Sequence, residues 1–496
     1  GNGSTGGGGG STGGGGGTTP TTPQAQAMLA KGLTISEIAV FQGVKVSVAK
    51  AGLKVAPTAR KMPIVAKRDG LVRVYVTPNA GWTPHAVTAE LHLVGATAFP
   101  ILKDTKTISA ASTDGVPAST FNFDVPGASL PAGAKYFVQL VDATVAPVAT
   151  NVKNAAQYPM DGTVDTVDTV TGSDKLKITI VPVQYNGDGS GRLPSTSPAV
   201  LDALKKKTLE LYPVPDVELT VHAPVAFAGT ISADGSQGWD SVVTGIAQLR
   251  AQDAVAADVY YYGVFAPAAS FAAYCPKGCV LGLASGIPAA TDATQRAAAG
   301  VLFGDENTIA TMPHELGHAH GRSHAPCGGA AGADPAYPYA GGKIGTWGYS
   351  IVTKMLFDPA VYADQMGYCR PEWQSDYSFN ALFQRGKIAS NANIVFADDP
   401  SGDSEPGSYR FATVHPDGSL TWHASAPVRM KHLDGHRRPV HFDAPDGTEM
   451  GSGMAHFYPF DHIEGGFLVV PEGPSGFQKA RFDEMGPNFK AEMARP

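Results

Sequence analysis

The sequence predicts a multidomain protein in which an α/β domain is flanked by an N-terminal β-sandwich and a C-terminal β-rich domain. Length is the first reason: 496 residues exceed what one hydrophobic core can serve, so roughly two to four domains follow. Periodicity is the second. Short alternating runs fill the chain to about Val148, strand and helix patterns alternate beyond residue 175, and short β runs return from Ile388. Composition is the third, because only 16% of residues are charged while Gly (59) and Pro (38) abound, which suits a β-rich exported chain better than a helical cytosolic one. Lys+Arg 37 against Asp+Glu 44 leaves a net charge of -7 without a long basic run, which argues against a nucleic-acid partner.

Residues 1–32 open with GNGSTGGGGGSTGGGGGTTPTTP and read as a flexible tether that stiffens at its Pro-containing end. The chain starts at Gly1 without a methionine and reads as processed, its secretion signal already removed. Such a tether resembles the segment that follows the lipidated cysteine of bacterial surface lipoproteins. That resemblance implies an extracellular or cell-surface location, secreted or lipid-anchored. In residues 33–158 the runs ISEIAVF, VKVSVA, LVRVYVTP, VTAELHLVG, FNFDV and KYFVQLVDA alternate with Gly, Pro and Asp turns, the spacing of a β-sandwich. His85 and His92 stand far from other ligand types. Residues 159–174, with the self-similar MDGTVDTVDTVTGSD, read as a linker.

Beyond it the pattern becomes strand 176–183, helix 197–212, strand 217–223, helix 237–253 and strands 257–265, 279–285 and 299–304. Beyond the glycine-rich opening the longest uncharged stretch, from Val259 up to Lys277, is interrupted by Pro267, so no transmembrane helix is predicted. Residues 371–387 read as a closing helix whose Trp373, Phe379, Leu382 and Phe383 pack behind the preceding unit, assigned to 175–387. Residues 388–496 return to β runs. There RMKHLDGHRRPVHF spaces His432 and His436 four apart, but Asp434 and Gly435 signal a turn, so a surface hairpin is the expectation.

The chemistry concentrates in TMPHELGHAHGRSH, residues 311–324. An α-helix turns about 100° per residue, so His314 and His318 face one point. Glu315 lies one residue round, beside that point, where water rather than a metal would meet its carboxylate. Gly321 can adopt the left-handed conformation that ends a helix and lets His324 approach from a second direction. Three imidazoles then converge and one tetrahedral position stays open. His320 points away from that centre and reads as packed or solvated. Pro313 leaves two options: Thr311 caps a helix that starts late, or Asn307 caps a longer one that kinks.

As it stands the pattern is H-E-x-x-H-x-x-G-x-x-H, and it resembles the signature of metzincin-clan zinc metalloendopeptidases. The resemblance implies Zn2+ held by His314, His318 and His324, with Glu315 as general base. It also implies a methionine in a tight turn beneath the metal, for which YADQMGYC supplies Met366, with the less suited Met355 as competitor. Tyr368, two positions later, matches the astacin and serralysin branches, where a tyrosine stabilises the transition state. Asp364 departs from the serine usual in those branches, and Ala325 is uninformative, so the clan follows without a family.

By the same resemblance CVLGLAS supplies an edge strand, Val280, Leu281, Gly282, Leu283 and Ala284, along which an extended polypeptide or glycoprotein substrate could add as one more strand. Four cysteines allow three pairings. Cys327 and Cys369 should lie near the floor of the site, which favours Cys327 with Cys369 and Cys275 with Cys279. A second metal site at the C-x-x-x-C is the rival, and Cys327 is the candidate should a fourth zinc ligand exist. The function implied is a secreted or surface-tethered zinc endopeptidase. The alternative is a catalytically silent surface glycan- or protein-binding lipoprotein on a protease scaffold, against which the retained Glu315 speaks.

Overall fold

The computed structural model describes residues 26–95, 99–395, 407–423, 427–430, 433–461, 463–483 and 492–495, so the glycine-rich opening lies outside the described residues. It is a multidomain, β-rich protein.

The N-terminal part packs two antiparallel sheets face to face. One has the order Leu53–Lys54, Lys45–Lys50, Leu33–Phe41, Gly70–Pro78, Phe121–Val125; the other runs Gln157–Tyr158, Lys135–Val141, Ala86–Val94, Leu102–Thr107. Alternate residues of both, among them Ile38, Val74, Leu91 and Val138, fill one core. Two boundaries differ from expectation. Residues 26–32 are not all tether: Gln26–Ala27 pairs with Val148–Ala149, and Leu29 and Ala30 are buried. The predicted linker is folded as well. Asp165–Thr166 pairs with Lys135–Val141, Thr169–Val170 pairs with Ile64–Val65, and Val167 is buried between them. Its aspartates look solvated in sequence but meet cations from elsewhere, Asp165 and Asp168 pairing with Lys54 and Asp168 also with Arg60.

The middle of the chain forms a mixed sheet in the order Val217–Val221, Leu176–Tyr185, Val259–Phe265, Ala297–Val301, Gly282–Ala284, with Val225–Phe227 also beside Leu176–Tyr185. Only Gly282–Ala284 runs antiparallel, and it is the edge. The central strands are apolar on both faces because helices cover both. Ile178, Ile180, Tyr260 and Tyr262 face helices Pro198–Leu211 and Glu306–Ala319, whereas Val181, Val183, Tyr261 and Phe265 face Trp239–Gln252. No helix of the described residues is long and apolar enough to cross a membrane.

The closing helix spans Asp376–Val395, later and longer than predicted, because Glu372–Trp373 is extended and pairs with Ala363–Asp364. The four apolar residues expected on it, of which Trp373 lies just before its start, do not share one task. Trp373 and Leu382 join the core beneath the site helix, but Phe379 and Phe383 enter the sandwich core, where Gly43 leaves room for the Phe379 ring. The helix thus couples two cores.

From Gly407 an antiparallel sheet runs in the order Leu420–Trp422, Gly407–Val414, Gly466–Pro471, Glu449–Pro459, His436–Asp443, Lys479–Phe482, Glu492–Ala494. Phe411, Tyr458, Phe467 and Val469 pack on the helix Trp239–Gln252, while Ala412, Val440, Phe442 and Leu468 make a core of their own. His436 is exposed at a strand start, and His432 lies outside the described residues.

Candidate metal centre

The site helix Glu306–Ala319 begins earlier than either sequence option allowed. Asp305 caps it, its carboxylate accepting the backbone N–H groups of Asn307 and Thr308. Pro313 is tolerated inside the helix. At the other end Gly321 has φ +80°, Gly321 N–H donates to His318 O (2.7 Å) and Arg322 N–H to Gly317 O (3.0 Å). That pair of bonds is a Schellman termination, and it turns the chain so that His324 comes back over the helix.

Each of the three imidazoles donates Nδ1–H to a backbone carbonyl. The acceptors are Gln365 O for His314 (2.6 Å), Arg322 O for His318 (2.6 Å) and Ala331 O for His324 (2.5 Å). The tautomer is therefore set so that every Nε2 carries a lone pair directed inward. His314 Nε2 and His318 Nε2 stand 3.1 Å apart, and the potential ligand atoms of all three lie within 4.8 Å of one another. Neutral imidazole nitrogens this close repel unless a cation sits between them. Tetrahedral Zn–N bonds of about 2.0–2.1 Å would set the nitrogens roughly 3.4 Å apart, so the donor set fits a metal.

Glu315 is buried, 4% exposed, beside this group. The backbone of Gly282 on the edge strand passes directly over it: a Cβ there would lie 2.5 Å from Glu315 Cγ. Of the five residues expected on that edge, Gly282, Leu283 and Ala284 form the strand, and Val280 and Leu281 lead into it. Leu283 and Ala284 are wholly buried. Tyr368 is half-exposed at the rim, its ring centroid 4.9 Å from that of His324. Burial, then the charges of Glu315 and Asp461, hold its hydroxyl protonated far above the usual phenol range.

Met366 is fully buried against the site helix, whereas Met355 is exposed. Asp364, noted as a departure from the resembled pattern, serves the turn well: it accepts N–H from Met366 (2.8 Å) and Ser375 (3.0 Å) and the Tyr337 hydroxyl (3.2 Å). Both favoured disulfides form, Cys275 with Cys279 and Cys327 with Cys369. Cys327 is thereby removed as a fourth ligand, since a disulfide sulfur offers no thiolate. His320 is buried and stacked on Tyr260 at 4.1 Å; burial pushes its pKa down to about 3, so it is neutral.

One residue in this neighbourhood escaped the sequence reading. Asp461, from the C-terminal sheet, brings Oδ2 within 3.6 Å of His318 Nε2, and Glu315, His318 and Asp461 form a second potential ligand group. Nothing local to PFDHIEGG signals it, because the contact spans more than a hundred residues.

Residues 294–416, which include the whole three-histidine group, match the family described as Peptidase M66. The match and the histidine geometry together support a metallopeptidase, and so a hydrolase. No curated protein matches. Among solved structures the chain is similar to one titled "Structure of a chaperone-substrate complex", at 14% identity and a TM-score of 0.24, over 56% of this chain. The similarity spans 38% of that chain's length.

Proposed function

We propose that this protein is a secreted or surface-tethered zinc endopeptidase of the metzincin type, with residues 175–387 as the catalytic unit. Its substrates on this reading are internal peptide bonds of extracellular proteins or glycoproteins. The observation that carries the reading is the inward convergence of three Nε2 atoms beside one buried carboxylate.

His314, His318 and His324 would hold the ion, their orientation locked by the carbonyls of Gln365, Arg322 and Ala331. When bound, zinc supplies Lewis-acid polarisation of a carbonyl and activation of water near neutral pH. Glu315 accepts a proton from the attacking water and passes it to the leaving amine. Its burial keeps bulk water from competing for that proton. Tyr368, held protonated, donates a hydrogen bond to the oxyanion as it develops. The antiparallel edge Gly282–Ala284 would align an extended segment beside Glu315 by backbone hydrogen bonds, which favours bonds inside a chain over its ends.

The test is Glu315→Ala in the full chain. Zinc content by atomic absorption should match the parent while casein cleavage disappears. Substantial residual cleavage with zinc bound would refute the assignment.

A further inference from the structure

The C-terminal sheet reaches the centre through one hairpin. Strands Glu449–Pro459 and Gly466–Pro471 pair as far as Pro459 opposite Gly466, and Asp461 stands in the turn between them. The turn is seated. Phe460 is 7% exposed and packs with Phe467, and its N–H donates to Gly465 O. At its base Gln295 donates from Nε2 to Pro459 O (3.3 Å), and Gly286, at φ +136°, permits a close approach in which a Cβ would lie 2.6 Å from that same oxygen. Gln295 and Gly286 belong to the loop joining the edge strand to Ala297–Val301, so the hairpin docks beside the edge strand.

From that seat the Asp461 side chain, only 1% exposed, lies against His318 Nε2 and beside Glu315. Two carboxyl groups so close and so buried are relieved by a shared proton or by a cation between or beside them, and the three imidazoles converge where a cation would sit. The same ground, next to an inward Nε2 and the general base, is where water and a scissile carbonyl must enter if the proposed function holds.

We infer that Asp461 is an intramolecular occupant of the cleft, a carboxylate donor from the C-terminal sheet that shields the metal centre and must withdraw before substrate binds. The inference rests on the metallopeptidase reading and adds the control of that site. A tethered occupant acts at an effective concentration on the order of millimolar or more, without needing high intrinsic affinity. Apparent substrate affinity is then proportional to the fraction of molecules whose hairpin is withdrawn, and so is low while most hairpins stay seated. Anything that pulls the C-terminal sheet away, including a partner that engages it, would raise activity.

The experiment compares the parent chain with Asp461→Asn and Asp461→Ala at full length, reading zinc release to a chromogenic chelator and cleavage of casein. Zinc release should rise roughly tenfold or more in the variants, since lost donors around a metal weaken its hold by that order, and cleavage should rise as the withdrawn fraction grows. Cleavage no faster than the parent's, or zinc release unchanged, overturns the inference. A second measurement needs no substitution: hydrogen exchange across the turn between Pro459 and Gly466 in the parent chain, with and without a peptide hydroxamate. Exchange should rise when the hydroxamate fills the cleft, and unaltered protection overturns the inference too. Adding Glu315→Ala to Asp461→Asn separates the two levels of the argument. Persistent cleavage there defeats the metallopeptidase reading itself, whereas lost cleavage alongside an Asp461→Asn single variant that behaves like the parent defeats only the role of Asp461.

Discussion

The sulfur of Met366 lies against Gly317, so closely that a Cβ on Gly317 would stand 2.4 Å from it. Gly317 sits on the site helix one position before His318, and the contact sets the height of the helix above the methionine turn. Glycine at that position is a packing requirement, since the helix itself would prefer alanine.

Gly317→Ala should therefore destabilise the protein despite its better helix propensity. Overpacking of this kind costs about 1–3 kcal/mol. The expected result is a lower melting temperature together with weaker zinc retention, measured by calorimetry and by competition with a chelator. An unchanged melting temperature would show that the turn yields freely.

Gly282→Ala acts from the opposite side. Its Cβ would meet the Glu315 side chain at 2.5 Å, while the three histidines keep their carbonyl partners. For the base role proposed for Glu315, a displacement of about 1 Å can cost on the order of 100-fold in rate. Cleavage should drop on that scale while zinc content stays at the parent level.

Linking Cys327 to Cys369 ties the segment just past His324 to the end of the methionine turn across 42 residues of sequence. Closing a loop of that length constrains the unfolded chain by about 4 kcal/mol in the chain-entropy view. The double variant Cys327→Ser with Cys369→Ser should melt at lower temperature and lose zinc faster. The pair Cys275–Cys279 closes only a short loop, so its double serine variant should change stability less.

Asp292 offers a pH test away from the candidate metal centre. It is 4% exposed, and burial followed by the charge of Asp434 raises its pKa to about 6 despite the backbone N–H of Thr294 at 2.7 Å. A carboxyl whose folded pKa exceeds its unfolded value binds more protons when folded between about pH 4 and 6. Its stabilising contribution is thus present below the unfolded pKa and is lost as pH rises through 6. Asp292→Asn keeps an acceptor for Thr294 and removes the charge, so it should stabilise the protein at pH 7.5 by about 1–3 kcal/mol. The gain should vanish near pH 4, as denaturant titrations at the two pH values will show.

Much of this molecule is written locally. The strands and helices from residue 176 to 320 fall within a few residues of their patterns because alternation and 3.6-residue periodicity report directly on which face is buried. His314, Glu315, His318, Gly321 and His324 are legible because one helix and one turn place them all within a single short stretch. Met366 and Tyr368 needed a likeness to other proteins, since their distance from His324 carries no period. The folded 159–174 segment was missed because Lys54 and Arg60, which pair with its aspartates, lie over a hundred residues away.

By itself the chain order specified a group of candidates: three imidazoles, one acid beside them and a glycine to bring the third imidazole round. Those follow from helix geometry, which depends only on neighbours in sequence. Tertiary structure alone decided what surrounds them: Gly282 pressed on Glu315, Met366 under Gly317, Phe379 and Phe383 committed to a different core, and Asp461 delivered from the far end of the chain. Each is a contact between segments whose separation leaves no trace in local pattern, because close packing and charge pairing select partners in space and are indifferent to their distance along the backbone.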